Sequence, residues 1–183
     1  MGPTALERFN SADAADAERL LRTCVDVPRW AAELAAARPF ADVDAAVEAA
    51  SAAARPWTDA ELDQALGRHP RIGERPPGDD AEARLSRQEQ AAVDPADDDV
   101  RRRFAEGNRA YEERFGRVFL IRAAGRTAEE LLGALEERLT HDPADERAIV
   151  ADELLDIALL RLRGALSSGA LSSGALSSGG AGA

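Results

Sequence analysis

His69-Pro70-Arg71-Ile72-Gly73-Glu74 is the stretch on which the reading of this chain turns. Before it, Thr58 with Glu61 three residues on makes a capping-box pattern, and Leu62 and Leu66 give the next turns an apolar stripe. That spacing predicts a helix from Thr58 to about Gly67, with His69 just past its C-terminal end. After it, Arg71 to Leu85 is rich in proline, glycine and charge and reads as a loop. Ser86-Arg87-Gln88-Glu89-Gln90 follows, and Ser86-x-x-Glu89 is a second capping-box pattern that starts another helix. One of the two histidines therefore sits between two helices.

Working outward, the same helical period recurs. Asn10 or Ser11 is placed to cap a helix from about Ala12 to Cys24, with Leu20, Leu21 and Cys24 as its apolar stripe. Pro28 opens the next, carrying Trp30, Leu34 and Ala37 at helical spacing. Residues 42 to 54 put Val43, Ala46, Val47 and Ala50 on one face. A long helix is expected from about Val100 to Phe115, with Phe104, Asn108, Tyr111 and Phe115 aligned and Gly116 as its C′ residue. Thr127 caps a helix bearing Leu131, Leu132, Leu135 and Leu139, and Asp142-Pro143 opens the last, to about Arg163. Val118-Phe119-Leu120-Ile121 is the only strand-like run; a lone strand makes no sheet, so it reads as buried connecting backbone. The fold class is all-α, a single-domain multi-helix bundle over residues 1–164. Residues 165–183 repeat Ala-Leu-Ser-Ser-Gly and read as a disordered, low-complexity Ser/Gly-rich tail.

Composition narrows the function. The chain of 183 residues has a formal net charge of −11, which argues against nucleic acid as a partner because phosphates require a cationic surface. All 23 basic side chains are arginine, and an arginine-lined pocket in an acidic protein still accepts a small anion. Cys24 is alone, so neither an intrachain disulfide nor a cysteine-based zinc site is expected. No run of about 18 apolar residues is present and no basic segment followed by an apolar run opens the chain. A cytoplasmic protein without a membrane partner is the expectation. Metal and nucleotide-cofactor motifs are lacking, so neither a metal nor a cofactor is expected.

His69 has the proton affinity for acid–base work at neutral pH, although a histidine at a helix C-terminus is also stabilised by the helix dipole. Glu89 and Ser86 have a structural explanation too, as capping residues. Their spacing adds to this: a histidine ending one helix and a carboxylate in the first turn of the next can face each other across the loop. Amides at the second helix's N-terminus would attract an anion. Arg161 follows Ile157 by four residues on the face of Val150 and Leu154, so it points inward, either toward a carboxylate or ureido group or as a cation closing the last turn. Arg122 is a weaker candidate of the same type. His141 reads as an exposed cap neighbour, Cys24 as a small core residue, and Trp30, Trp57, Phe104 and Tyr111 as core.

Taken together, Arg38-Pro39-Phe40, His69-Pro70-Arg71-Ile72-Gly73, Ser86-x-x-Glu89-Gln90, Asn108-x-x-Tyr111-x-x-x-Phe115-Gly116, Val118-Phe119-Leu120-Ile121 and Leu160-Arg161-Leu162 run in an order that resembles the OHCU decarboxylase family. The resemblance covers about residues 9 to 164. Where many members carry Gly-Phe-Pro-Phe, this chain has Gly116-Arg117-Val118-Phe119. It implies a cofactor-independent, all-α homodimer that decarboxylates 2-oxo-4-hydroxy-4-carboxy-5-ureidoimidazoline (OHCU) to (S)-allantoin in urate breakdown. By the same resemblance His69 and Glu89 are catalytic. Pro70, Ser86, Arg87, Gln88, Gln90, Phe119, Leu120, Ile121, Arg122, Ala123 and Arg161 bind substrate. The alternatives are a hydrolase of a related ureide and a non-enzymatic helical interaction module.

Overall fold

Alanine, leucine and arginine dominate the chain and favour helix, and most predicted starts carry a residue able to cap them, the one at Pro28 being opened by proline instead. The computed structural model describes residues 2–67, 69–73, 84–85, 88 and 98–168. Eight helices are bounded among them: α1 Ala5–Ser11, α2 Ala14–Cys24, α3 Pro28–Ala36, α4 Val43–Ala53, α5 Asp59–Leu66, α6 Asp98–Phe115, α7 Ala128–Arg138 and α8 Pro143–Ser168. Arg84, Leu85 and Gln88 are helical as well, and no described residue lies in a strand. No helix among the described residues is long and apolar enough to cross a membrane.

Three boundaries differ from the sequence reading, the first being that Arg84 and Leu85, expected at the end of the loop, are already helical. Residues 5 to 11 form their own short helix, capped by a Thr4–Glu7 capping box, and Asp13 caps α2 by accepting from the Asp16 amide at 2.8 Å. Asn10 is drawn elsewhere: its side-chain amide exchanges two hydrogen bonds with the Phe40 backbone, at 2.8 and 3.0 Å. The last helix continues past Arg163 to Ser168, into the first Ala-Leu-Ser-Ser repeat. The reason is periodicity: Ala158, Leu162, Ala165 and Leu166 prolong one apolar stripe, and all four are buried. Residues 165–168 are thus helix, whereas the tail expected from 169 onward lies outside the described residues.

Within the stretch read as one domain, two compact units separate, one of residues 1–56 and 157–183 and one of residues 57–156. In the first, α2 packs on α3 and α3 on α4. The Trp30 indole is fully buried and donates to the Ala50 carbonyl at 2.9 Å, which satisfies its only polar group. In the second, α6 packs on α7 through a core of Phe104, Tyr111, Leu131, Leu132 and Leu135, joined by Ile72, Phe119 and Ile121 from the connecting segments. Gly107 permits the close approach of the two helices, because a Cβ there would lie 2.7 Å from Leu135 Cδ2. The run Val118–Ile121 is irregular backbone and Phe119, Leu120 and Ile121 are buried, in agreement with its reading as a buried connection.

Candidate functional site

His69 is held by the last turn of α5. Its backbone amide donates to the Leu66 carbonyl at 3.0 Å, and imidazole Nδ1 lies 2.9 Å from the Ala65 carbonyl. A carbonyl only accepts, so Nδ1 carries a proton, and in the neutral tautomer that this selects, Nε2 is the basic atom. The residue as a whole is 9% exposed. The orienting partner expected from sequence, Glu89, lies outside the described residues, as do Ser86, Arg87 and Gln90. Gln88 is helical and exposed.

Beyond half-buried Pro70, three successive residues are fastened to one face of α6. Arg71 Nε and Nη2 donate to the two oxygens of Glu112 at 2.5 and 2.8 Å. Asn108 Nδ2 donates to the Ile72 carbonyl at 2.9 Å, and the Ile72 side chain is buried. Gly73 takes φ +80°, which favours glycine, and a Cβ there would also press on Phe104 at 3.3 Å. The hydrogen bond from Arg71 holds the Glu112 carboxyl below its ordinary pKa. Asn108 itself is 1% exposed, and its Oδ1 has no hydrogen-bond partner among the described residues.

The segment after α6 poses a different problem. Gly116 turns the chain at φ +70°, its amide donating to Glu112 at 2.9 Å, and the following backbone is buried without a neighbouring strand. Buried backbone groups need partners, and here charged side chains supply them. The Leu120 carbonyl accepts from Arg138 Nη1 at 2.7 Å, and the Arg122 amide donates to Glu153 Oε2 at 2.7 Å. Arg138 is buried with its guanidinium 4.7 Å from the Phe119 ring centroid. Its Nε and Nη2 donate to Glu146 Oε1 at 2.8 and 2.5 Å, the Tyr111 hydroxyl donates to the same oxygen, and His141 Nδ1 lies 3.0 Å from Oε2. Burial, reinforced by the Glu146 carboxylate, pushes the Tyr111 phenol well above its ordinary range.

This buried network was not anticipated, although a signal for it exists. Arg138 follows Leu131 by seven residues and Leu135 by three, and Glu146 precedes Val150 by four, so each is a charge standing on an apolar stripe. His141, expected as an exposed cap neighbour, is half-buried and tied to Glu146. Two further arginines flank the segment. Arg117 Nη2 is 3.5 Å from Asp63, while Arg117 Nη1 and Arg122 Nε are buried without hydrogen-bond partners among the described residues. Phe119, Leu120, Ile121 and Ala123 commit their side chains to the interior, which leaves backbone groups and Arg122 as what this segment has to offer a ligand. Arg161, in the other unit, is 4% exposed and donates to the Cys24 carbonyl at 3.4 Å. Trp30, Trp57, Phe104, Tyr111 and Cys24 are buried, as their spacing predicts. Among the described residues no group of three metal-ligating side chains comes together.

A family model described as OHCU decarboxylase matches residues 10–163. The chain belongs to the OHCU decarboxylase family. It is 38% identical over 102 residues to the uric acid degradation bifunctional protein TTL of Arabidopsis thaliana, covering 54% of this chain and 32% of that protein. It is 45% identical over 56 residues to the 2-oxo-4-hydroxy-4-carboxy-5-ureidoimidazoline decarboxylase of Amia calva, covering 31% of this chain and 32% of that protein. The chain thus spans about a third of the length of these curated relatives. Among solved structures it is similar to OHCU decarboxylase crystallised in the presence of (S)-allantoin, with a TM-score of 0.67 and 25% identity over 82% of this chain and 96% of that one. An (S)-allantoin synthase superposes with a TM-score of 0.63 at 20% identity, over 87% of this chain and 53% of that one, which speaks to the fold alone. The all-α architecture expected from sequence is the architecture of this family.

Proposed function

We propose that this protein is a carboxy-lyase that converts OHCU to (S)-allantoin in urate breakdown, with His69 as its acid–base group. Membership of the OHCU decarboxylase family supports the substrate. The single observation that carries the mechanism is the Ala65 carbonyl on His69 Nδ1, because it leaves Nε2 as the proton acceptor of a buried imidazole. Loss of the substrate carboxylate leaves an electron pair that the adjacent ring imine accepts, so this chemistry can proceed with protein groups alone. In this reading His69 Nε2 takes the proton of the neighbouring hydroxyl, and Glu89 supports the charged ring. Protonation of the ring carbon from one face then sets the configuration of allantoin. Backbone groups of Phe119 to Ala123, with Pro70, Ser86 to Gln90 and Arg122, hold the ureido and oxo groups. The proposal that Arg161 contacts substrate rests on the family resemblance. So does a homodimeric state, which light scattering on the purified chain checks; the proposal of a cytoplasmic location rests on the sequence composition instead.

The test generates OHCU in situ from urate with urate oxidase and hydroxyisourate hydrolase and follows allantoin by circular dichroism. The protein should give (S)-allantoin well ahead of spontaneous decay. His69→Asn should lower the rate by about 10² or more while leaving the far-ultraviolet spectrum unchanged. A wild-type trace no faster than spontaneous decay overturns the activity, and an undiminished His69→Asn overturns the role of the histidine.

A further inference from the structure

We propose that Glu153 and Arg138 are positioning residues, which fix the backbone of Leu120 to Arg122 so that it meets substrate in one arrangement. The inference deepens the reading above, in which this segment lines the substrate. Its basis is the accounting of polar groups along a stretch with no strand beside it. The side chains of Phe119, Leu120, Ile121 and Ala123 are turned into the core, so their burial fixes depth but not the direction of the peptide groups. A single peptide rotation would redirect a carbonyl and an amide at little cost in packing. Two charged side chains from two helices prevent it: Arg138 of α7 on the Leu120 carbonyl and Glu153 of α8 on the Arg122 amide, each at 2.7 Å. Both are charge-assisted bonds, stronger than neutral ones.

Glu153 acts on the backbone of Arg122 rather than on its guanidinium. Arg126, by contrast, places its guanidinium 3.9 Å from the Glu153 carboxylate. The arrangement anchors Arg122 by its main chain and leaves its Nε, buried and without a partner among the described residues, for a carbonyl or carboxylate oxygen of the ligand. The Arg126 side chain is 37% exposed, so replacing Glu153 does not strand that charge in the interior.

The experiment compares Glu153→Leu, which removes the acceptor, with Glu153→Gln, which keeps a carbonyl oxygen for the Arg122 amide. Hydrogen exchange at the amides of residues 120–123 and steady-state kinetics on OHCU generated in situ are the two readouts. Glu153→Leu should speed exchange in this segment and raise KM about tenfold, and Glu153→Gln should restore both to within about threefold of wild type. Unchanged exchange in Glu153→Leu overturns the clamp whether or not the protein decarboxylates OHCU. Faster exchange with an unchanged KM overturns its part in catalysis. A wild type that is inactive defeats the proposed function, while hydrogen exchange still decides the clamp.

Discussion

At the scale of single residues, hydrogen-bond direction decides what His69 can do. A carbonyl one turn back along α5 accepts from Nδ1, which gives the ring a donor face toward the helix and a basic Nε2. The sequence marked this residue through its position past the helix end, but the identity of the atom on Nδ1 depends on how the ring folds back. Arg138 and Glu146 illustrate the opposite case, in which burial decides the consequence. Their side chains are 6% and 2% exposed and hold Tyr111 and the Leu120 carbonyl as well as each other. Removing one partner strands the other's charge, so Arg138→Met should cost about 3–5 kcal/mol, read as a lower midpoint in urea. Combining it with Glu146→Leu should recover part of that loss. Fully additive losses in the double variant would show that the two charges are not coupled.

At the scale of elements, α6 is the spine of the second unit, since one face carries Phe104, Asn108 and Tyr111 and grips the chain on both sides of itself. The Arg71–Glu112 pair belongs to this grip, with side chains 45% and 27% exposed, and solvent screening limits it to about 0.2–1 kcal/mol. Because Arg71 lowers the folded-state pKa of Glu112, this contribution is present above the carboxyl's unfolded value and fades as pH falls through the folded one. Arg71→Ala should therefore destabilise at neutral pH and converge with wild type in acid; a constant difference across that range counts against the pair. The end of α8 is an element-scale correction. A repeat of Ala, Leu, Ser and Gly looks like linker by composition, yet its first four residues continue an apolar stripe. Leu166 is 2% exposed, so Leu166→Ala should cost about 2–5 kcal/mol in a urea melt. A change within about 0.5 kcal/mol would return residues 165–168 to the tail.

For the whole molecule, Tyr111 is the only tyrosine, so the phenolate absorbance of the chain reports on it alone. Its pKa is raised in the folded state, so folding stability tied to it is complete below the unfolded value near 10 and is lost as pH rises beyond that toward the folded value. Phenolate should appear together with loss of the helical circular dichroism signal; ionisation ahead of unfolding would contradict the buried bond to Glu146. At this scale too the division between sequence and structure becomes clear. Period, caps and breakers determined the all-α class, the helix order, the inward arginine at 161 and the candidate histidine, because each is a local property of spacing along one chain. The sequence did not disclose that Arg138 and Glu146 form one buried cluster, or that Glu153 holds the Arg122 amide. Nor did it show that Asn108 bonds to the Ile72 carbonyl. Those pairings join residues on different elements, from eight to 36 positions apart in the chain, and their geometry exists only once α6, α7 and α8 are packed and water is excluded from between them.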